Sequence, residues 1–226
     1  VDAISAAAAE AGVLLQVFNI WNLIGAPYGP AAIQAVHDIR SQLHAPVFSF
    51  VGGALPQVFG MIAHPRRPYD FIWPERPDWP LVDGAEIVPY DALYATMQAA
   101  IRPFLAIMGA IREVTEGLVF HIEPPPPCEE EIKANDPGWS AFYAADDVIA
   151  PIWFRYKLWR LQSKIVSAYC SGADIAFVPH PREADDARGF LNPLFRGKPG
   201  HGNPEYGALV LRQMQTLSRS PAAQRI

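Results

Sequence analysis

Segments of helical period alternate with short, continuously apolar runs along the whole of this 226-residue chain. Few folds suit that alternation. The alanine-rich stretch 1–12 reads as a helix ended by Gly12, and 14–20 as a buried strand. Helix is predicted over 31–43 and strand over 46–51, closed by Gly52 and Gly53. Between 90 and 116, Leu93, Met97, Ile101, Leu105 and Met108 recur at threes and fours, the stripe of an amphipathic helix. Pro103 is expected to kink it. Strands follow at 118–122 and 174–178, separated by a long helix over 146–169. A closing helix over 203–217 opens Asn-Pro-Glu, a cap followed by proline in the first helical position. Runs this short and this apolar suit parallel strands covered on both faces. The order therefore predicts a single-domain α/β protein over 1–226, a three-layer α/β/α sandwich with a parallel sheet and right-handed crossovers.

Composition narrows the function classes. Half of the residues are hydrophobic and 18% charged, enough apolar material for one sizeable core. A formal net charge of -5 argues against nucleic-acid binding, which calls for a basic face. Two cysteines, Cys128 and Cys170, make neither a disulfide framework nor a four-ligand zinc site. No apolar run reaches the ~20 residues of a membrane span. The reading is a soluble, cytoplasmic domain with no cofactor. Its 23 prolines are roughly twice the usual frequency of about 5%. They cluster at 65–89 and 124–127, marking long ordered loops.

The most informative motif is Gly200-His201-Gly202-Asn203-Pro204-Glu205-Tyr206-Gly207. A histidine just ahead of a helix cap, after the last strand, is placed as a general base near neutral pH. It is equally a loop histidine that merely precedes a cap. This block resembles the last block of the SGNH/GDSL hydrolases. Ser49-Phe50-Val51-Gly52-Gly53-Ala54, Arg67-Pro68-Tyr69-Asp70-Phe71, the run from His121 to Pro127, and Arg155-Tyr156-Lys157-Leu158-Trp159 resemble a bacterial branch of that family. The resemblance implies a flavodoxin-like α/β/α sandwich that hydrolyses esters or acyl groups through a serine, a histidine and an aspartate.

Carried over residue by residue, it assigns the catalytic histidine to His201 and leaves much of the machinery missing. The aspartate expected three residues earlier is Lys198, whose charge opposes an imidazolium rather than stabilising it. The oxyanion asparagine expected after Gly53 is Ala54. Loss of one such donor weakens transition-state binding by ~2.7–4 kcal/mol. Gly25 matches the family's loop glycine donor, and Asn203 completes the oxyanion or binding set. The family's nucleophilic serine, at the end of its first strand, falls ahead of Val1. The resulting reading is a hydrolase-like domain with a degenerate catalytic set, a non-catalytic scaffold or binding subunit. The alternative is a serine esterase acting on a small ester or acyl substrate, with His201 as base and a nucleophile encoded upstream.

In flavodoxin-like order a strand lies between the predicted strands 14–20 and 46–51. Without it two interior edges stand open, so the slot is expected to be filled by further polypeptide or by a strand from a protein partner, unless the topology differs. Other residues have two readings each. His121 and Glu123 point to one strand face, as an acid/base or metal pair with His180, or as a polar strand end. Tyr69, Trp73 and Trp79 line a groove or anchor a loop. Asp146 and Asp147 read as a favourable helix start, and 129–131 as a solvated acidic face. Arg155, Lys157 and Arg160 read as the solvated side of an aromatic helix, or a contact surface. Cys170 reads as a buried, inert thiol.

Overall fold

In the computed structural model the described residues are 1–20, 30–43, 46–52, 60–64, 66–130, 148–198 and 200–219. Five helices are described: α1 Asp2–Glu10, α2 Pro30–Asp38, α3 Tyr90–Val114, α4 Ile152–Gly172 and α5 Pro204–Ser218. The strands are β1 Val47–Ser49, β2 Tyr69–Asp70, β3 Glu86–Ile87, β4 Val119–Ile122 and β5 Ala176–Val178. β1, β4 and β5 form one sheet in that order, and both pairings are parallel. Residue alternation divides the apolar side chains between the two faces. Val119 packs with Ile101, Ile111, Leu158 and Ile165 against α2, α3 and α4. Phe120, Ile122 and Val178 pack with Ile4, Leu209 and Met214 against α1 and α5. Two cores on opposite faces make the α/β sandwich that the alternation implies.

One predicted strand is absent. Residues 14–20 form no strand among the described residues, Leu14 is fully exposed and Val17 is 43% exposed. The physical reason lies beside β1. A cavity of about 620 Å³ is lined by both that segment and β1, and among the described residues β1 pairs only with β4. The two segments do not pair directly, and the space between them is open.

Helix boundaries shift by modest amounts. α3 runs through Pro103 without ending, and α4 starts at Ile152, with 146–147 outside the described residues. Within the proline-rich stretch, β2 and β3 are two residues each, as a region poor in backbone donors allows. Chain reversal after α1 uses Gly12 at φ +66°, in the left-handed region that suits glycine. α1 packs closely on α5: a Cβ on Gly207 would stand 2.2 Å from the carbonyl oxygen of Ala3.

The solvated side assigned to the middle of α4 is a correction. Arg155 and Lys157 are buried, because the proline-rich loop covers Lys157 and the segments at Cys128 and Ala150 cover Arg155. Lys157 meets Asp70 of β2 at 2.6 Å, with both side chains wholly inaccessible. Its ammonium also donates to the carbonyls of Phe71 and Pro80. Asp70 accepts from the N–H groups of Phe71 and Val82. The Arg155 guanidinium donates to the carbonyls of Ala150 and Cys128. These cations hold loops onto the helix instead of facing water. Trp73, Trp79, Trp153 and Tyr156 pack ring on ring beside them, which makes these aromatics loop anchors.

Candidate functional site

Side chains with chemistry gather at the carboxyl ends of the parallel strands, where such sheets place their sites. Ser49 closes β1 and lies opposite His121 of β4 in register. The hydroxyl and the His121 Nδ1 stand 3.4 Å apart, and both side chains are buried. Burial pushes the His121 imidazole down to about 4, with the nearby Glu123 charge opposing only part of that shift. His121 is therefore neutral at physiological pH, stacked on Phe177.

The strongest polar constellation is one step further along. Glu123 follows β4 and His180 follows β5, so parallel pairing sets them side by side. Glu123 accepts from the His180 backbone N–H at 3.1 Å and meets its Nδ1 at 2.8 Å. The Nε2 meets Asp185 at 2.7 Å. Burial works against the charged form of His180, but the carboxylates of Asp185 and Glu123 outweigh it and raise its pKa. Burial also works against the Glu123 carboxylate, and the His180 contact outweighs that, holding its pKa low. An imidazolium between two carboxylates fits both shifts. The edge of Trp159 closes one side of the ring, while its indole N–H donates to the carbonyl of Pro124.

Among the sequence candidates, His201 and Asn203 share the loop that enters α5. His201 is exposed. Its carbonyl accepts from the Gly197 N–H, and its own N–H donates to the Lys198 carbonyl. Asn203 caps α5, accepting from the Tyr206 N–H through Oδ1 and donating to the Leu194 carbonyl through Nδ2. Gly25, Gly53 and Ala54 lie outside the described residues. His121, Glu123 and His180, grouped above as a metal alternative, make no metal-holding cluster, nor does any other trio of such ligands among the described residues. Glu123 and His180 bind each other instead, and His121 faces Ser49.

Two functional groups escaped the sequence reading. Asp185 sits five residues after His180, and only the one-turn 3-10 helix Arg182–Ala184 folds it back onto the ring. Asp70 stands between apolar neighbours in Tyr69-Asp70-Phe71, a weak sign of a buried partner. Cys170 is buried, and burial pushes its thiol up to about 11, as an inert core cysteine requires.

No protein-family model matches the chain, and no curated protein matches it. Among solved structures, a carbohydrate acetylesterase from Sinorhizobium meliloti is similar at 13% identity, over 76% of this chain and 98% of that one. The TM-score is 0.30, and a likeness at that level carries no argument.

Proposed function

We propose that this chain is a non-catalytic scaffold or binding domain built on a hydrolase-like α/β frame. The observation that carries this reading is the state of His180. It is the imidazole that carboxylates hold, yet both ring nitrogens are taken by carboxylates and the side chain is inaccessible. A general base must offer one nitrogen to the proton it removes. Here that nitrogen is spent on joining the ends of β4 and β5 to the loop at Asp185. The sequence supports the same reading, with Lys198 where the resembling hydrolases carry aspartate and Ala54 where they carry asparagine. His121, pushed down to about 4, is too weak a base to take over near neutral pH.

Hydrolysis of p-nitrophenyl acetate tests this. The purified chain should turn it over no faster than buffer alone, and His201→Ala should leave the rate unchanged while circular dichroism shows the fold intact. Clear turnover that His201→Ala abolishes would overturn the scaffold reading and restore the serine-esterase alternative.

A further inference from the structure

The loop from Pro181 to Asn192 leaves the carboxyl end of β5 and folds back over α4 and the segment at Cys128. Phe190 is wholly buried, its ring centroid 4.8 Å from that of Trp153 and 5.1 Å from that of Tyr156. The Leu191 N–H donates to the Pro127 carbonyl, and the Asn192 N–H to the Ala184 carbonyl. Arg188 pairs with Glu129 and Asp186, but the guanidinium is exposed and such pairs hold weakly. Among the loop's ion pairs, that of Asp185 with the His180 Nε2 has the least access to water.

His180 makes both of its carboxylate contacts only as an imidazolium. Glu123 meets Nδ1 at 2.8 Å and Asp185 meets Nε2 at 2.7 Å. A neutral ring has one N–H and one lone pair, so one contact would set a lone pair against a carboxylate. The backbone decides which contact that is. Glu123 also accepts from the His180 N–H, and its own N–H donates to the Val178 carbonyl, so it stays at the strand ends. Asp185 has another partner instead, the exposed guanidinium of Arg182 at 3.2 Å.

We propose that this loop is a proton-held cover, closed over Trp153 and Tyr156 while His180 is an imidazolium and released at Asp185 when the ring becomes neutral. Burial opposes the charge, but Asp185 and Glu123 keep the proton on the ring above its ordinary value of 6.5. The cover therefore stays shut below that value and loosens as the pH rises past it. Its neighbours do not share this titration. The phenols of Tyr156 on α4 and Tyr206 on α5 are pushed up by burial and by the same two carboxylates. His121, on the other side of Glu123, is already neutral. Glu129 is held low and Arg188 high by their contact. The buried Cys128 thiol, whose backbone bridges Leu191, is the rival group, since thiols ordinarily titrate near about 8.5. This cover does not depend on whether the domain hydrolyses anything.

The test is amide hydrogen exchange of the whole chain at pH 6 and pH 9, expressed as protection factors so that base catalysis of exchange cancels. Protection at Leu191 and Asn192 should fall at least tenfold, while Val47, bonded to Leu118 at the start of the sheet, keeps its value. The fall should follow the titration of the His180 ring, read by NMR at its Cε1 proton. In Asp185→Asn the side-chain amide can accept from a ring N–H or donate to a ring lone pair, so protection there should change less than threefold. Constant protection at Leu191 and Asn192 in the unaltered chain overturns the proposal. So does an equal fall at Val47, which is global unfolding, or a fall that does not track His180. A tenfold fall that persists in Asp185→Asn overturns it as well and assigns the pH dependence to another group such as Cys128.

Discussion

Replacing Asp70 by asparagine should be among the most damaging single changes of comparable size in this protein. The substitution keeps the shape and an acceptor for the Phe71 or Val82 N–H, but removes the charge opposite Lys157. The ammonium is then buried among the carbonyls of Phe71 and Pro80 with no counter-charge. Breaking a buried pair in this way costs about 3–5 kcal/mol. For a chain of this size each kcal/mol lowers Tm by ~2–4 °C, so the fall should be roughly 6–20 °C. Urea titration read by far-ultraviolet circular dichroism measures the free energy. The fluorescence of Trp73, Trp79 and Trp153, packed beside the pair, reports the loop separately. The double variant Asp70→Leu with Lys157→Met should recover most of the loss, because two apolar side chains leave no charge to desolvate. A loss under about 1 kcal/mol for Asp70→Asn, or a double variant as unstable as the two single losses added, would show that the pair does not hold the loop.

Two further outcomes follow from the packing. Gly207→Ala should destabilise the fold by about 1–3 kcal/mol, since the new methyl would meet the Ala3 backbone and force α1 away from α5; a thermal melt within 1 °C of the unaltered chain would contradict that approach. His121 should make stability fall with acid. Above its ordinary value of 6.5 the imidazole is neutral whether folded or not, and as pH drops towards about 4 the unfolded chain takes a proton that the folded one refuses. Relative to His121→Phe, the unaltered chain should therefore lose up to roughly 3 kcal/mol between pH 6.5 and 4. The raised pKa of His180 is common to both proteins and works the other way, its stabilisation being full below 6.5 and lost as pH rises through the folded value, so the comparison removes it. Parallel urea titrations across that range check the difference.

Much of the frame was legible in the residues themselves. The apolar runs around Phe48, Phe120 and Phe177 marked three parallel strands, and the threes and fours from Leu93 to Met108 marked α3. Both signals are local: a strand or helix that buries apolar side chains must repeat them at its own period. The cap at Asn203 was legible for the same reason, since side chain and backbone lie three residues apart. The segment 14–20 carries an equally good strand signal and yet forms none, because pairing depends on a neighbour that its own residues do not specify.

The charged residues show where local reading stops. Arg155 and Lys157 look like the wet side of a helix, and nothing within a turn of either says otherwise. Their partners lie 27 and 86 residues away at Cys128 and Phe71, so only the folding of two separate loops onto α4 decides that both are buried. His180 and Glu123 are 57 residues apart and meet because β4 and β5 pair in parallel, in one register. Sequence by itself determined which segments could become strands and helices, through short-range periodicity and capping. Tertiary structure alone decided which titratable groups met and which were cut off from water, because contact and burial depend on the register and stacking of distant segments.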